Sequence, residues 1–79
     1  MVVSAYTLIR TEHSKREALV NKIKKLSFVK EVTPVYGEYD IIVKTETESI
    51  EELNFFIYNE LRKIRGLAAT TTMITLRKK

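Results

Sequence analysis

The chain has 79 residues, 44% hydrophobic and 30% charged, the balance of one small water-soluble domain. It has no cysteine and one histidine, which excludes disulfides and thiolate metal sites and leaves no basis for a zinc centre. The formal charge is +4, no apolar run approaches the ~20 residues of a membrane helix, and the first residues lack a basic segment followed by an apolar one, so a soluble cytoplasmic protein with no membrane contact is expected.

Val2 to Arg10 is rich in β-branched and aromatic residues and predicts a strand. Val3, Ala5 and Ile9 share one face, and Val2, Tyr6 and Leu8 the other, so both faces need cover. Ser14 followed by Glu17 has the spacing of a capping box. Ala18, Leu19, Ile23 and Leu26 then recur at helical spacing, which predicts a helix running to about Leu26. Phe28 to Gly37 predicts a second strand. Pro34 lies inside it and cannot donate to a sheet ladder, so this strand belongs at an edge or carries a bulge. Gly37-Glu38 predicts a tight hairpin into a third strand, Tyr39 to Thr45. Ser49 and Glu52 form a second capping box. Behind it Ile50, Leu53, Ile57, Leu61 and Ile64 mark the clearest helical period, with Phe55, Phe56 and Tyr58 widening the apolar face and Gly66 as the stop. Leu67 to Arg77 predicts the last strand, with Thr70, Thr72, Ile74 and Leu76 on one face and Thr71, Met73 and Thr75 on the other.

The order β-α-β-β-α-β predicts an α+β, ferredoxin-like sandwich over residues 1–79: an antiparallel four-stranded sheet with two helices on one face. Right-handed crossovers set the first strand between the third and the fourth and put the second outside the third. That edge is where Pro34 is tolerated. The sheet's other face carries valine, tyrosine, isoleucine and leucine with nothing from the chain to cover it. A core this thin gains burial by oligomerising, so two sheets are expected to pack face to face in a homodimer. The absence of glutamine, tryptophan and cysteine beside abundant lysine and isoleucine has the flavour of a thermophile composition.

Catalytic chemistry finds little support. No nucleophile–base set assembles around one histidine, and two glycines make no phosphate loop. His13 and Glu17 have the spacing of a surface pair. Glu46, Glu48, Glu51 and Glu52 complement the dipole of the second helix. Lys15, Arg16, Lys22, Lys24 and Lys25, with the Arg77-Lys78-Lys79 tail, suit a solvated helix face and a frayed end better than a nucleic-acid surface, since no aromatic interleaves with them. No cofactor or metal is implied. Two polar groups remain. Gly37-Glu38-Tyr39-Asp40 joins two strands, and Asp40 is suited either to cap the turn or to accept a ligand ammonium group. Thr70-Thr71-Thr72 offers hydroxyls to a carboxylate or amide, or packs as ordinary strand residues.

These segments together resemble the effector-binding domain of the Lrp/AsnC family of amino-acid-responsive regulators, the RAM domain. The resemblance rests on Val29-Lys30-Glu31-Val32-Thr33-Pro34-Val35-Tyr36-Gly37-Glu38-Tyr39-Asp40 and on Ile64-Arg65-Gly66-Leu67 followed by Thr70-Thr71-Thr72. Arg65 stands where the family often has proline. The chain starts at its first strand with no helix-turn-helix domain, like the stand-alone members, so direct nucleic-acid reading is not expected. The resemblance implies a non-enzymatic amino-acid-sensing module. Face-to-face dimers would assemble into larger rings, often octamers, with a free amino acid in the crevice between dimers. Asp40 would take its ammonium group, backbone around Gly37, Glu38 and Tyr39 its polar end, and Thr70 and Thr72 would give hydroxyls. Co-assembly with related transcription regulators is implied as well. Three other readings share the topology: a small dimeric α/β-barrel enzyme, an RRM-like nucleic-acid binder and an ACT-type sensor.

Overall fold

The computed structural model describes residues 2–75. Its strands are β1 (Val3–Arg10), β2 (Val29–Pro34), β3 (Ile41–Thr47) and β4 (Ala69–Ile74), and its helices are α1 (Arg16–Lys24) and α2 (Ile50–Phe56). The sheet is antiparallel in the order β2-β3-β1-β4, as the crossovers require. Pro34 ends the edge strand β2, the edge placement that accommodates it, and a bulge lies upstream between Val29 and Glu31. The expected extension of the last strand to Leu76 and Arg77, and the basic tail Arg77-Lys78-Lys79, fall outside the described residues.

Alternation sorts the sheet into two faces. Ala5 and Ile9 of β1 and Ile41 and Val43 of β3 point under the helices and are fully buried against Leu19, Ile23, Leu53, Phe56 and Leu61. Phe28 meets the Phe56 ring edge-on at 5.8 Å and closes the core at the start of β2. On the opposite face Tyr6, Leu8, Ile42 and Met73 stand in adjoining register, with Tyr6 and Met73 exposed. The Lys44–Glu46 contact at 3.9 Å interrupts this apolar surface, which is more mixed than the strand pattern suggested.

The helix ends differ in how well their signals were expressed. Ser49 has extended backbone, and its hydroxyl accepts the Glu52 N–H at 3.1 Å. Glu52 returns a carboxylate oxygen to the Glu48 N–H at 2.8 Å, one residue upstream of the usual capping-box partner. The expected box at Ser14 does not form. Ser14 lies inside a 3₁₀ turn, His13–Lys15, and a residue already in a helical conformation is not placed to cap the turn that follows. At the far end α2 widens into a π turn, Ile57–Leu61. Of the three aromatics expected to broaden its apolar face, Phe56 is buried, while Phe55 and Tyr58 are each 59% exposed. The helical ladder stops at Leu61, before Gly66. Gly66 instead turns the chain into β4 with φ +101°, where a Cβ would meet Leu19 Cδ1 at 3.4 Å.

Several core positions are threonines. Thr7 shares a hydroxyl bond with Thr72 at 3.0 Å, and Thr47 donates to the Ser49 carbonyl at 2.8 Å. Thr45 is fully buried with no partner for its hydroxyl. A lone buried hydroxyl costs about 1–3 kcal/mol against an apolar group of like shape. Thr45→Val is therefore expected to raise stability by about 1 kcal/mol, measured as a higher urea midpoint at unchanged slope.

Candidate ligand-binding site

The β2–β3 connection is wider than the tight hairpin expected. Residues 35–40 separate Pro34 from Ile41, and the loop closes where the Val35 N–H donates to the Asp40 carbonyl at 2.8 Å. Gly37, at φ +129°, makes the turn at the tip, where an added Cβ would face open space. Tyr36 is 88% exposed, and Arg16 stacks on its ring at 5.3 Å.

The last residues of β1 hold this loop. The Asp40 N–H donates to the Ile9 carbonyl at 2.8 Å, and Arg10 Nε donates to the Glu38 carbonyl at 3.1 Å. The Arg10 guanidinium lies 5.6 Å from the Tyr39 ring centre, and the Tyr39 hydroxyl reaches Thr71 Oγ1 at 3.4 Å. Asp40 is buried. Its Oδ2 accepts the Thr11 N–H at 2.8 Å, and its Oδ1 lies 3.3 Å from His13 Nε2. The Thr11 hydroxyl then donates to the Gly66 carbonyl at 2.7 Å, and the Ala68 N–H donates to the Arg10 carbonyl at 2.8 Å. One short segment, Ile9–Thr11, thus carries the hairpin on one flank and the entry to β4 on the other.

Thr70 and Thr72 lie on that second flank. They face the helix side of β4, where α2 covers them incompletely, and line a hollow of about 310 Å³ with Leu53, Asn54, Ile57, Tyr58, Arg62 and Ile74. Thr70 pairs with Ile9 across the sheet, while Asp40 contacts Ile9 from the other side. Two strand spacings, about 10 Å, and the buried Ile9 side chain therefore separate Asp40 from Thr70. The site residues expected from sequence fall into two groups, Gly37 to Asp40 and Thr70 with Thr72. Within one chain the fold does not join them.

Sequence reasoning missed Arg10, Thr11, Asn54, Tyr58 and Arg62. It paired His13 with Glu17, whereas the fold brings His13 to Asp40. Helical spacing offered a signal for the hollow: Asn54, Tyr58 and Arg62 recur every fourth residue on the edge of the apolar face. Nothing local marked Thr11, whose partner is twenty-nine positions away. Tyr6 stands on the open sheet face and His13 in the 3₁₀ turn beyond the end of β1.

The Lrp/AsnC ligand-binding domain profile matches residues 4–79. The chain belongs to the Lrp/AsnC ligand-binding domain family. It is 35% identical to the HTH-type transcriptional regulator FL11 of Pyrococcus furiosus over 75 residues, which is 95% of this chain and 49% of that protein. The chain thus spans about half the length of that regulator. It is 38% identical to a homocitrate synthase of Sulfurisphaera tokodaii over 61 residues, 77% of this chain but 13% of the enzyme. Among solved structures, the hypothetical protein PHS023 of Pyrococcus horikoshii shares 38% identity at a TM-score of 0.89, over 96% of this chain and 92% of that one. The family has the ferredoxin-like architecture described above, and no helix among the described residues is long and apolar enough to cross a membrane.

Asp40→Ala leaves the buried Thr11 N–H without an acceptor and is expected to cost about 1–3 kcal/mol. Asp40→Asn keeps an acceptor oxygen and is expected to cost under about 1 kcal/mol. Urea unfolding of the two variants side by side checks this difference.

Proposed function

We propose that this Lrp/AsnC-type domain is a non-enzymatic effector-binding module that holds a small amino acid between copies of itself. The observation that carries this reading is the separation of the two polar groups. Gly37, Glu38, Tyr39 and Asp40 lie on one flank of β1, Thr70 and Thr72 on the other, with the buried Ile9 between them. A ligand the size of an amino acid meets both groups only where the hairpin of one copy faces the hollow of another.

The chemistry of each half suits this. Asp40 Oδ2 stays on Thr11, whereas Oδ1 faces His13, whose side chain is 75% exposed. A ligand ammonium displaces His13 there and gains a charge-assisted bond. The carbonyl and amide groups around Gly37, Glu38 and Tyr39 take further polar atoms of the ligand, and the Thr70 and Thr72 hydroxyls close the other side. Tyr6, Leu8, Ile42 and Met73 supply the apolar centre for face-to-face pairing of two sheets, and pairs then assemble into a ring, with the octamer as the expected form. A related transcription regulator with the same domain fits the same seams, so the module acts by co-assembly, in the cytoplasm and without contacting nucleic acid itself.

Thermal shift against the twenty amino acids, with mass measured in solution, tests the reading. A subset of amino acids is expected to raise Tm and to favour the larger assembly. A monomer that responds to none of them sinks the proposal. Asp40→Asn, which retains the Thr11 bond, is expected to abolish the ligand response while the dimer persists; an unchanged response removes Asp40 from the site.

A further inference from the structure

The hollow beside β4 has features beyond the two threonines. The π turn closes with the Arg62 N–H on the Ile57 carbonyl at 2.9 Å. A π turn inserts one extra residue into the helical ladder, and such insertions recur at functional sites. Here it keeps Ile57 and Leu61 in the core while Tyr58 and Arg62 line the hollow. The Arg62 guanidinium rests 5.2 Å from the Tyr58 ring centre, which fixes a side chain that would otherwise sample many rotamers.

Arg62 has no acidic partner among the described residues. The ion pairs there are His13–Asp40 and Lys44–Glu46. A guanidinium held in place at the rim of a hollow, beside the Thr70 and Thr72 hydroxyls and the Asn54 amide, presents a forked donor with an unfilled role. The rest of the lining is aliphatic: Leu53, Ile57 and Ile74. No acidic side chain lines it. The volume of about 310 Å³ is at the small end of the range for ligand pockets, which suits one amino acid and little more.

We infer that Arg62 is the carboxylate-binding residue of the effector site, and that the hollow selects an α-amino acid with an aliphatic side chain. This rests on the effector-binding reading above and deepens it. The carboxylate lies on the Arg62 fork with a Thr70 or Thr72 hydroxyl, and the side chain lies on Leu53, Ile57 and Ile74. The ammonium group then points out of the hollow, toward the hairpin of the neighbouring copy. An acidic side chain has no second cation to meet there, and a lysine or arginine ligand would bring its charge against the aliphatic wall.

Isothermal titration of the intact protein with leucine, isoleucine, valine, aspartate and lysine tests the inference, together with isoamylamine, which is leucine without its carboxylate. The aliphatic amino acids are expected to bind, and isoamylamine, aspartate and lysine to bind at least tenfold more weakly. Arg62→Gln is expected to weaken the aliphatic amino acids at least tenfold, with Arg62→Lys intermediate. Arg62 is exposed, so its urea midpoint should stay near that of the parent and report an intact fold. If the parent binds amino acids and Arg62→Gln binds them equally well, or if aspartate or lysine binds best, this inference fails while the effector-binding reading stands. If the parent binds no amino acid, both fall.

Discussion

The bond from the Thr11 N–H to the Asp40 carboxylate holds together the β2–β3 hairpin, the end of β1 and the entry to β4. It ties the end of the central strand to the start of β3, and the Thr11 hydroxyl carries the tie on to Gly66. A buried carboxylate that accepts a backbone N–H is a strong anchor, because releasing it strands two polar groups away from water. Hairpin and β4 entry are therefore set against the same three residues, Ile9–Thr11, at the end of β1. Their relative placement does not depend on the loop's own contacts with solvent, and a wide, glycine-tipped loop can still present its groups at a defined position.

The hollow arises from a shortfall of helix over sheet. Two helices must roof four strands, and the second is only seven residues long before its geometry changes. The buried side of β1 is sealed, with Ala5, Thr7 and Ile9 all at 0% exposure, but β4 is left partly open. Threonines fit such a place. Thr72 satisfies the buried Thr7 hydroxyl inward and stays exposed outward, which an aliphatic residue in its place would not do. The π turn is the second adjustment: the helix buries Ile57 and Leu61 on one side and still sends Arg62 to the rim.

Most of the fold could be read in the amino-acid order, because its determinants are local or periodic. Strand composition, the Ser49 cap, the 3-4-4-3 spacing of the second helix and the edge placement of Pro34 act within a few residues or follow from chain connectivity. What escaped was tertiary. Ser14 looked like a cap until the 3₁₀ turn took it into its interior. Phe55 and Tyr58 seemed to widen the apolar face, but the sheet reaches only the Leu53, Phe56, Ile57 and Leu61 stripe, and aromatic character alone does not show how wide a face the sheet covers. Asp40 was visible as an odd charge at the head of an apolar strand. That its carboxylate would be taken by Thr11 and His13 depends on contacts across twenty-nine and twenty-seven positions, which spacing does not encode.

The proposed site, divided between copies, lets so small a domain enclose an effector. Neither half offers enclosure: the hairpin has backbone groups and a guarded carboxylate, and the hollow has hydroxyls, a cation and an open mouth. Each alone competes poorly with water for a zwitterion. In the proposed assembly the two together satisfy both ends of the ligand and exclude solvent from it, so that binding and assembly form one equilibrium. At a ligand concentration a hundred times Kd, each occupied seam favours the assembled state by about 2.7 kcal/mol, and the seams of a ring add. The same division makes each half interchangeable. The co-assembly proposed above follows the same logic: a related chain that supplies a matching hairpin would complete the hollow of this one by the same bonds.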